Sequence, residues 1–267
     1  MEKIKPLKKF GQNYLSDKNI LRKIVNEINP SPDDSIIEIG PGLGALTELI
    51  FEKNENLSCV EIDSRAVLIL KQKYPKLNIV QDDFLKIDLD KYSDGNSKLK
   101  VIGNIPYNIT SPIIFRLIEK HSLISEAVFL IQLEVAKRMT AISGSKDYGI
   151  LAVILQKFCD VRIAFKVSPN VFYPKPKVYS AVVHLWFKDL SINEDEKKVF
   201  IYLVKALFNN RRKTIKNSLS NSIFAGLDFS NSGIDLTKRA EQLVPENFES
   251  LTRFLLDEYH HQLRQLL

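Results

Sequence analysis

The fold is decided by the sequence SIIEIGPGLG at residues 35–44. It begins as a short apolar run, which predicts a buried strand, and continues into a tight turn that contains three alternating glycines. An apolar segment at residues 45–53 follows the turn and predicts a helix. A strand, a glycine turn and a helix in this order are typical of an open α/β sheet. In such sheets the turn lets backbone N–H groups approach a ligand without interference from Cβ atoms.

The same alternation of strands and helices continues to residue 133. Apolar runs predict strands at residues 57–61, 77–80, 100–103 and 127–133, and helical patterns occur at residues 17–28, 64–74 and 111–120. This alternation predicts a mostly parallel sheet with helices on both faces. Two further strands, at residues 159–167 and 180–187, flank a proline-rich loop. We expect them to form an antiparallel hairpin that closes the sheet.

The last part of the chain has only helical patterns. Three segments, at residues 194–208, 214–222 and 246–266, predict helices, and residues 189–193 read as a linker. The sequence therefore predicts two domains. Residues 1–190 would form the α/β domain with a basic N-terminal arm of lysines, and residues 191–267 would form a small all-α domain. The lysines of the arm are Lys3, Lys5, Lys8 and Lys9.

Charge is distributed unevenly along the 267 residues, although the net charge is only +6. Residues 1–30 carry +4, residues 31–94 carry −6, residues 95–188 carry +8 and residues 189–267 are neutral. An acidic segment between basic ones indicates an anionic macromolecular partner and a separate site that avoids negative charge. The apolar runs are too short to span a bilayer, and the N-terminus lacks the apolar core of a signal peptide.

Cysteine and histidine usage gives no sign of a metal site. Cys59 and Cys159 are too few for a disulfide framework or a four-ligand zinc site, and both lie in apolar stretches. None of the four histidines has a partner at ligand spacing. We therefore expect a cytoplasmic protein with neither a bound metal nor a membrane anchor.

The glycine turn alone leaves two cofactors open, a nicotinamide dinucleotide and S-adenosylmethionine. The spacing from Gly40 to Ala45 also fits a dinucleotide fingerprint, and Glu61 stands where either cofactor would need a ribose-binding carboxylate. Carboxylates at the predicted strand ends favour the sulfonium cation of S-adenosylmethionine over a pyrophosphate; they are Glu38, Glu61, Asp82 and Asp83. Asp83 is placed to accept a hydrogen bond from an adenine amino group.

The most specific motif is Asn104-Ile105-Pro106-Tyr107, directly after a predicted strand. The side-chain carbonyl of Asn104 and a neighbouring backbone carbonyl can accept both protons of an exocyclic amine. That arrangement directs the nitrogen lone pair towards an electrophilic methyl group. Tyr107 offers a stacking face for a base that has left its helix.

Together these motifs resemble the ribosomal RNA adenine N6-dimethyltransferases of the small-subunit, kasugamycin-sensitivity type. The resemblance runs from about residue 5 to at least residue 220 and is carried by five segments: KFGQNYL at residues 9–15, EIGPGLGALT at 38–47, NIPYNI at 104–109, FYPKPKV at 172–178 and NRRKT at 210–214. It implies a seven-stranded class I S-adenosylmethionine-dependent methyltransferase fold with a helical C-terminal domain. It also implies dimethylation of two adjacent adenosines in the 3′-terminal hairpin of 16S rRNA, within an immature 30S particle.

The resemblance also implies a role for individual residues. Tyr107 and Phe172 would sandwich the target base, and Asn104 would position its N6 atom. Asn13 and Leu15 would close over the methionine end of the cofactor, and Glu61 and Asp83 would bind its ribose and adenine. The binding turn would be formed by Gly40, Gly42 and Gly44.

A basic cluster without acids lies between residues 196 and 228. Its candidate RNA-binding residues are Lys205, Arg211, Arg212, Lys213 and Lys216. The arginines could instead brace the catalytic domain, and the sequence does not choose between these roles. No segment reads as an obligate interface, so a monomer is expected.

Three other functions are possible. A large-subunit rRNA adenine methyltransferase of the macrolide-resistance type would share the fold, the cofactor site and the motif at residues 104–107. A non-catalytic nucleic-acid-binding factor on this fold would not need an intact cofactor turn. A nicotinamide dehydrogenase would leave residues 104–107 and the basic second half unexplained.

Overall fold

The computed structural model describes residues 6–7, 11–93 and 97–266. The expected basic arm of Lys3, Lys5, Lys8 and Lys9 lies outside these residues. The chain divides into two compact units, the first reaching to Lys137 and continuing with Cys159–Asp189, and the second formed by Arg138–Phe158 and Leu190–Leu267.

Helices and strands alternate through the first part of the chain, as expected. The elements up to the middle of the chain are β1 (Tyr14–Leu15), α1 (Lys18–Ile28), β2 (Ile36–Ile39), α2 (Ala45–Phe51), β3 (Leu57–Glu61), α3 (Ser64–Lys73), β4 (Asn78–Gln81), β5 (Leu99–Asn104), α4 (Thr110–Glu119), β6 (Ile124–Gln132) and α5 (Leu133–Met139). The remaining elements are α6 (Ile150–Phe158), β7 (Cys159–Val167), β8 (Phe172–Tyr173), β9 (Ser180–Phe187), α7 (Glu194–Phe208), α8 (Ile215–Ser220) and α9 (Pro245–Leu266).

The first unit is built on a seven-stranded sheet with the order β4-β3-β2-β5-β6-β9-β7. The five strands from β4 to β6 are parallel, and β9 runs antiparallel to both β6 and β7. The predicted α/β class and the closing hairpin are therefore confirmed. From β2 the chain forms β3 and then β4 on one side of β2, and it then crosses to form β5 on the other side. The direction in which strands are added to the sheet therefore reverses at β2. Ligands of open α/β sheets bind at such a point, beyond the carboxyl ends of the strands.

The core of this unit follows from the sequence pattern. All four residues of β2 are buried, as expected for a central parallel strand covered on both faces. Helix α1 begins after Asp17, whose carboxylate accepts hydrogen bonds from two backbone N–H groups of the first turn. Its apolar residues recur at helical spacing and join the core cluster beside the sheet; they are Leu21, Ile24, Val25 and Ile28.

A second, two-stranded sheet was not predicted. Strand β1 pairs antiparallel with β8, so that Tyr14 lies opposite Tyr173 and Leu15 lies opposite Phe172. The Ser16 backbone N–H continues the pairing by donating to the Val171 carbonyl at 3.1 Å. This ribbon holds the N-terminal motif beside the loop that precedes β9.

The second unit is helical, and it includes α6, which lies within the range 1–190 predicted for the first domain. Helix α6 is apolar on most of its surface, and five of its nine residues are buried. Phe158 at its end packs edge to face against Phe200 of α7, with ring centroids 6.2 Å apart. The Lys157 ammonium lies 3.3 Å from the Glu249 carboxylate of α9. The compact units therefore differ from the predicted ranges 1–190 and 191–267 in residues 138–158, because α6 buries its apolar surface against α7 and α9.

Within the described part of the chain, no helix combines the length and the apolar character needed to cross a membrane.

Candidate active site

A cavity of about 370 Å³ lies in the first unit, beyond the carboxyl ends of β2, β3, β4 and β5. That volume is within the usual range for sites that bind small molecules. Segments far apart in the sequence form its wall: residues 11–14, 39–42, 60–62, 82–85 and 104–109 all contribute. These segments contain seven of the ten residues predicted for catalysis or cofactor binding, so the fold brings the separate motifs to one place.

The glycine turn forms one side of the cavity. Gly40, Gly42 and Gly44 all have φ values in the left-handed region, which glycine adopts without steric cost. A Cβ atom on Gly42 would stand 2.9 Å from the Tyr14 ring, and one on Gly44 would stand 2.8 Å from Leu70. Gly40 and Gly42 line the cavity, whereas Gly44 is not among the described residues of its wall. Gly44 instead serves the packing of α2 against α3.

Glu61 is fixed at the end of β3 by two backbone donors. Gly42 N–H donates to its Oε2 atom at 3.0 Å, and Asp63 N–H donates to its Oε1 atom at 2.8 Å. The residue is only 5% exposed, and this burial is the main reason that the pKa of Glu61 is raised. The carboxylate is thus held in one orientation at the cavity wall, ready to accept hydrogen bonds from hydroxyl groups.

Asn104 ends β5 and has its amide oriented by the N-terminal motif. Its Nδ2 atom donates to the backbone carbonyl of Asn13 at 2.8 Å. Because the NH₂ group is used in this contact, the side-chain carbonyl is the part of the amide left to accept protons. Both Asn13 and Asn104 line the cavity.

Tyr107 lies in a short 3₁₀ turn directly after this strand. Its hydroxyl forms a hydrogen bond of 2.7 Å with Ser180 Oγ at the start of β9, and burial raises the pKa of the phenol. The ring lines the cavity, and the hydrogen bond of its hydroxyl group with Ser180 holds it there. It therefore presents a fixed aromatic surface to a ligand.

Two predicted residues have a different environment. Leu15 and Phe172 are each 6% exposed and belong to the apolar core cluster of the first unit. Neither is among the described residues of the cavity wall. Their roles at the methionine end of the cofactor and at the target base stay predictions.

The cavity wall is acidic. Glu61, Asp82 and Asp83 contribute to it, and its described residues include no lysine, arginine or histidine. Asp83 is held in place because its Oδ1 atom accepts from Leu85 N–H at 3.0 Å. A pyrophosphate would meet carboxylates here and no cation, which disfavours the nicotinamide dinucleotide. Glu38, in contrast, is buried beneath the turn and does not belong to the described wall.

The structure also shows site residues that the sequence analysis passed over. Gln12 lines the cavity, and its Nε2 atom donates to Asp63 at 3.0 Å. Asp63 is in turn paired with Arg65, and their hydrogen bond is the main reason that the pKa of Asp63 falls to about 2. Gln12 belongs to the segment KFGQNYL at residues 9–15, so this motif could have identified it as a site residue. The sequence gives no comparable signal for the pairing of Asp63 with Arg65, because such pairs are common at the starts of helices.

The basic cluster of the second unit separates into two kinds of residue. Arg211 Nη2 donates to the carbonyls of Lys146 and Tyr148, both at 3.0 Å, and lies 3.4 Å from the Glu241 carboxylate. This arginine therefore braces the second unit internally. The other candidate side chains are exposed; they are Lys205, Arg212, Lys213 and Lys216. Their contact with RNA stays a prediction.

The fold and this cavity define a methyltransferase of the open α/β class. A family profile described as "Ribosomal RNA adenine dimethylase" matches residues 3–257, and the chain belongs to this family. It is thus an rRNA adenine dimethyltransferase, and membership implies chemistry that depends on S-adenosylmethionine.

Curated relatives and solved structures agree with this assignment. The chain is 44% identical over 245 residues to the "Ribosomal RNA small subunit methyltransferase A" of Prosthecochloris aestuarii, covering 91% of this chain and 92% of the relative. It is 43% identical to the protein of that name from Francisella tularensis subsp. novicida, over 95% and 98% of the two chains. Among solved structures, it is similar to a dimethyladenosine transferase from Plasmodium falciparum, with 27% identity, a TM-score of 0.77 and coverage of 91% and 97%. It is also similar to the 23S rRNA methyltransferase ErmE, with 25% identity, a TM-score of 0.66 and coverage of 90% and 98%.

Proposed function

We propose that this protein transfers methyl groups from S-adenosylmethionine to N6 of two adjacent adenosines in the 3′-terminal hairpin of small-subunit rRNA. The substrate would be an immature 30S particle. The observation that carries the proposal is the orientation of Asn104, whose amide NH₂ is held by the Asn13 carbonyl at the cavity wall. This leaves a carbonyl acceptor where an exocyclic amine must be positioned.

The small-subunit substrate is favoured over the large-subunit one by the comparisons. The relatives named "Ribosomal RNA small subunit methyltransferase A" are 43% and 44% identical to this chain, whereas the 23S rRNA methyltransferase ErmE is 25% identical. The large-subunit activity is the competing function, and the experiment below includes it as a separate arm.

The cavity fits S-adenosylmethionine in three respects. The wall carries carboxylates without a basic residue, which suits a cation that has no phosphate. Glu61, fixed by two backbone N–H groups, would bind the ribose hydroxyls, and Asp83 would accept from the adenine amino group. The Tyr14 hydroxyl is buried without a hydrogen-bond partner among the described residues, so a polar ligand atom there would satisfy it.

The chain's own residues would do the following work. The Asn104 carbonyl and a neighbouring backbone carbonyl would accept hydrogen bonds from the two N–H groups of the target amine. This contact would hold the N6 lone pair out of conjugation and aim it into the cavity. Tyr107 would stack on the base and exclude water from one face. Bound S-adenosylmethionine supplies an electrophilic methyl group, and no covalent intermediate with the protein is required.

The exposed basic side chains of the second unit would contact phosphates of the same RNA. Arg211, Arg212, Lys213 and Lys216 are all exposed, but the Arg211 guanidinium donates to two backbone carbonyls of its own unit. We therefore assign a bracing role to Arg211 and phosphate contact to the other three.

The test is Asn104→Ala, assayed with labelled cofactor on small-subunit particles from cells that lack this activity. We expect methylation to be lost while calorimetry still detects cofactor binding. Asn108→Ala is the matched control, because Asn108 lies on the same wall but outside the proposed amine contact. We expect it to keep most of the activity. Turnover by Asn104→Ala at the wild-type rate would overturn the role of Asn104. Methylation by the wild type of protein-free large-subunit rRNA, but not of the particles, would overturn the substrate.

A further inference from the structure

The segment at residues 173–179, which we call the rim segment, exposes two aromatic rings between lysines. Its sequence is YPKPKVY. Tyr173 is 67% exposed and Tyr179 is 55% exposed, and Lys175 and Lys177 between them are exposed as well. Aromatic rings interleaved with cations are typical of surfaces that bind unpaired nucleotides, because the rings stack on bases and the cations contact phosphates.

Both ends of the rim segment are attached to residues of the active-site cavity. At its start, Tyr173 lies opposite Tyr14 in the pairing of β1 with β8, and Tyr14 lines the cavity. At its end, the Tyr179 carbonyl accepts from Leu133 N–H at 3.0 Å. The next residue, Ser180, holds the Tyr107 hydroxyl at 2.7 Å. The segment therefore connects the surroundings of two aromatic residues that line the cavity, Tyr14 and Tyr107.

The charge of the rim segment is opposite to that of the cavity. Residues 161–188 include no aspartate and no glutamate, whereas the described cavity wall includes three carboxylates and no lysine or arginine. A polyanion is therefore attracted to the rim and repelled from the cavity wall. An RNA chain that places one uncharged base in the cavity would keep its phosphates at the rim.

We infer that the rim segment binds the nucleotides next to the target adenosine. The rings of Tyr173 and Tyr179 stack on the neighbouring bases, and Lys175 and Lys177 contact the phosphates between them. This inference rests on the proposed function, since only an RNA whose adenine enters the cavity has neighbours at the rim. For a substrate with two adjacent target adenosines, the rim holds one while the other is in the cavity.

The kinetic test uses Tyr173→Ala and Tyr179→Ala on undermethylated small-subunit particles. Loss of one stacked base is expected to raise KM for the particle roughly 5- to 100-fold. The kcat at saturation and the cofactor affinity stay near the wild-type values, because neither ring belongs to the described cavity wall. Tyr173→Phe and Tyr179→Phe keep the ring and should keep KM. Tyr202→Ala, at a tyrosine of α7 that is 43% exposed, is the matched control.

A second measurement locates the contact directly. A photo-crosslinking benzophenone amino acid is placed at position 173, 179 or 202, and the crosslinked nucleotide is mapped by primer extension. We expect crosslinks from positions 173 and 179 within about two nucleotides of the methylated adenosines. Crosslinks that are distant, or no stronger than those from position 202, would overturn the inference.

The results separate this inference from the proposed function. If the wild type methylates the particles but the alanine variants keep the wild-type KM, the rim inference is wrong and the proposed function stands. If the wild type methylates a different rRNA and the crosslinks lie beside that methylated base, the rim inference holds and the proposed substrate is wrong. If the wild type methylates no rRNA, both are wrong.

Discussion

Glu38 is a buried carboxylate whose replacement should stabilise the protein in a pH-dependent way. It is 1% exposed in β2, where it accepts from Thr47 Oγ1 at 2.7 Å and from the Cys59 thiol at 3.6 Å. Burial raises the pKa of Glu38 from its ordinary 4.5 to about 7. Glu38→Gln keeps the size and an acceptor oxygen for Thr47 and Cys59, but it cannot ionise.

The magnitude follows from the difference between the two pKa values. Between pH 4.5 and about 7, the folded protein keeps the Glu38 proton while the unfolded chain loses it. Unfolding then releases a proton, so rising pH favours the unfolded state. At about 1.4 kcal/mol per pKa unit, this destabilisation grows to about 3 kcal/mol above pH 7 and is absent at acid pH. Glu38→Gln removes this pH-dependent destabilisation.

The assay is urea unfolding of the wild type and of Glu38→Gln at about pH 4 and about pH 8.5. The gain in unfolding free energy of the variant should be about 3 kcal/mol larger at the higher pH. Glu55→Gln removes an exposed carboxylate of the same unit and controls for general charge effects. An equal difference at both pH values, or a variant that loses stability as the pH rises, would refute the reasoning.

Two further predictions concern glycine and arginine. Gly42→Ala and Gly144→Ala both place alanine at a left-handed φ, so each should lose about 1–2 kcal/mol in urea unfolding. Only Gly42→Ala should also weaken cofactor binding in calorimetry, because its Cβ would displace the Tyr14 ring that stands 2.9 Å away; equal affinities would contradict this. Arg211→Ala leaves two carbonyls without their donor and should lower the unfolding free energy by about 1–2 kcal/mol. Arg212→Ala should leave stability unchanged but weaken particle binding, and the opposite pattern would reverse the assigned roles.

The parallel part of the fold could be predicted because its strands are continuous apolar runs. Each of β2, β3 and β5 was located to within one residue at either end. The β1–β8 ribbon could not be predicted, since two-residue strands have no periodicity and their partners lie far apart in sequence. For α6, the sequence indicates a helix that is apolar on most sides. It does not indicate which other helices pack against those sides. The strand predicted at residues 127–133 extends one residue into α5, because Leu133 continues the apolar run of β6.

The candidate site was predictable where chemistry is encoded in a local motif. Glu61 and Asn104 each end a strand, and a parallel sheet brings strand ends together, so their meeting in one cavity follows from the topology. The sequence could not show what orients these groups. The amide of Asn104 is held by the backbone of Asn13, and Tyr107 is held by Ser180, both from distant segments. Arg211 is a similar case, because nothing in the sequence reveals which carbonyls a fold leaves unpaired.

The hydrogen bonds that orient Asn104 and Tyr107 bear on how the protein separates its two substrates, the cofactor and the RNA. The residues that hold Asn104 and Tyr107 come from the N-terminal motif and from the start of β9, and the rim segment connects these two regions. These contacts use the Asn13 backbone carbonyl and the Ser180 hydroxyl, so a substitution at the Tyr173 or Tyr179 ring leaves the amide and the Tyr107 ring in place. Under the proposed function, the acidic part of the wall would bind the cofactor and the basic rim would position the RNA. The opposite charges of residues 31–94, which carry −6, and of residues 161–188, which include no acidic residue, thus have a structural counterpart in the first unit.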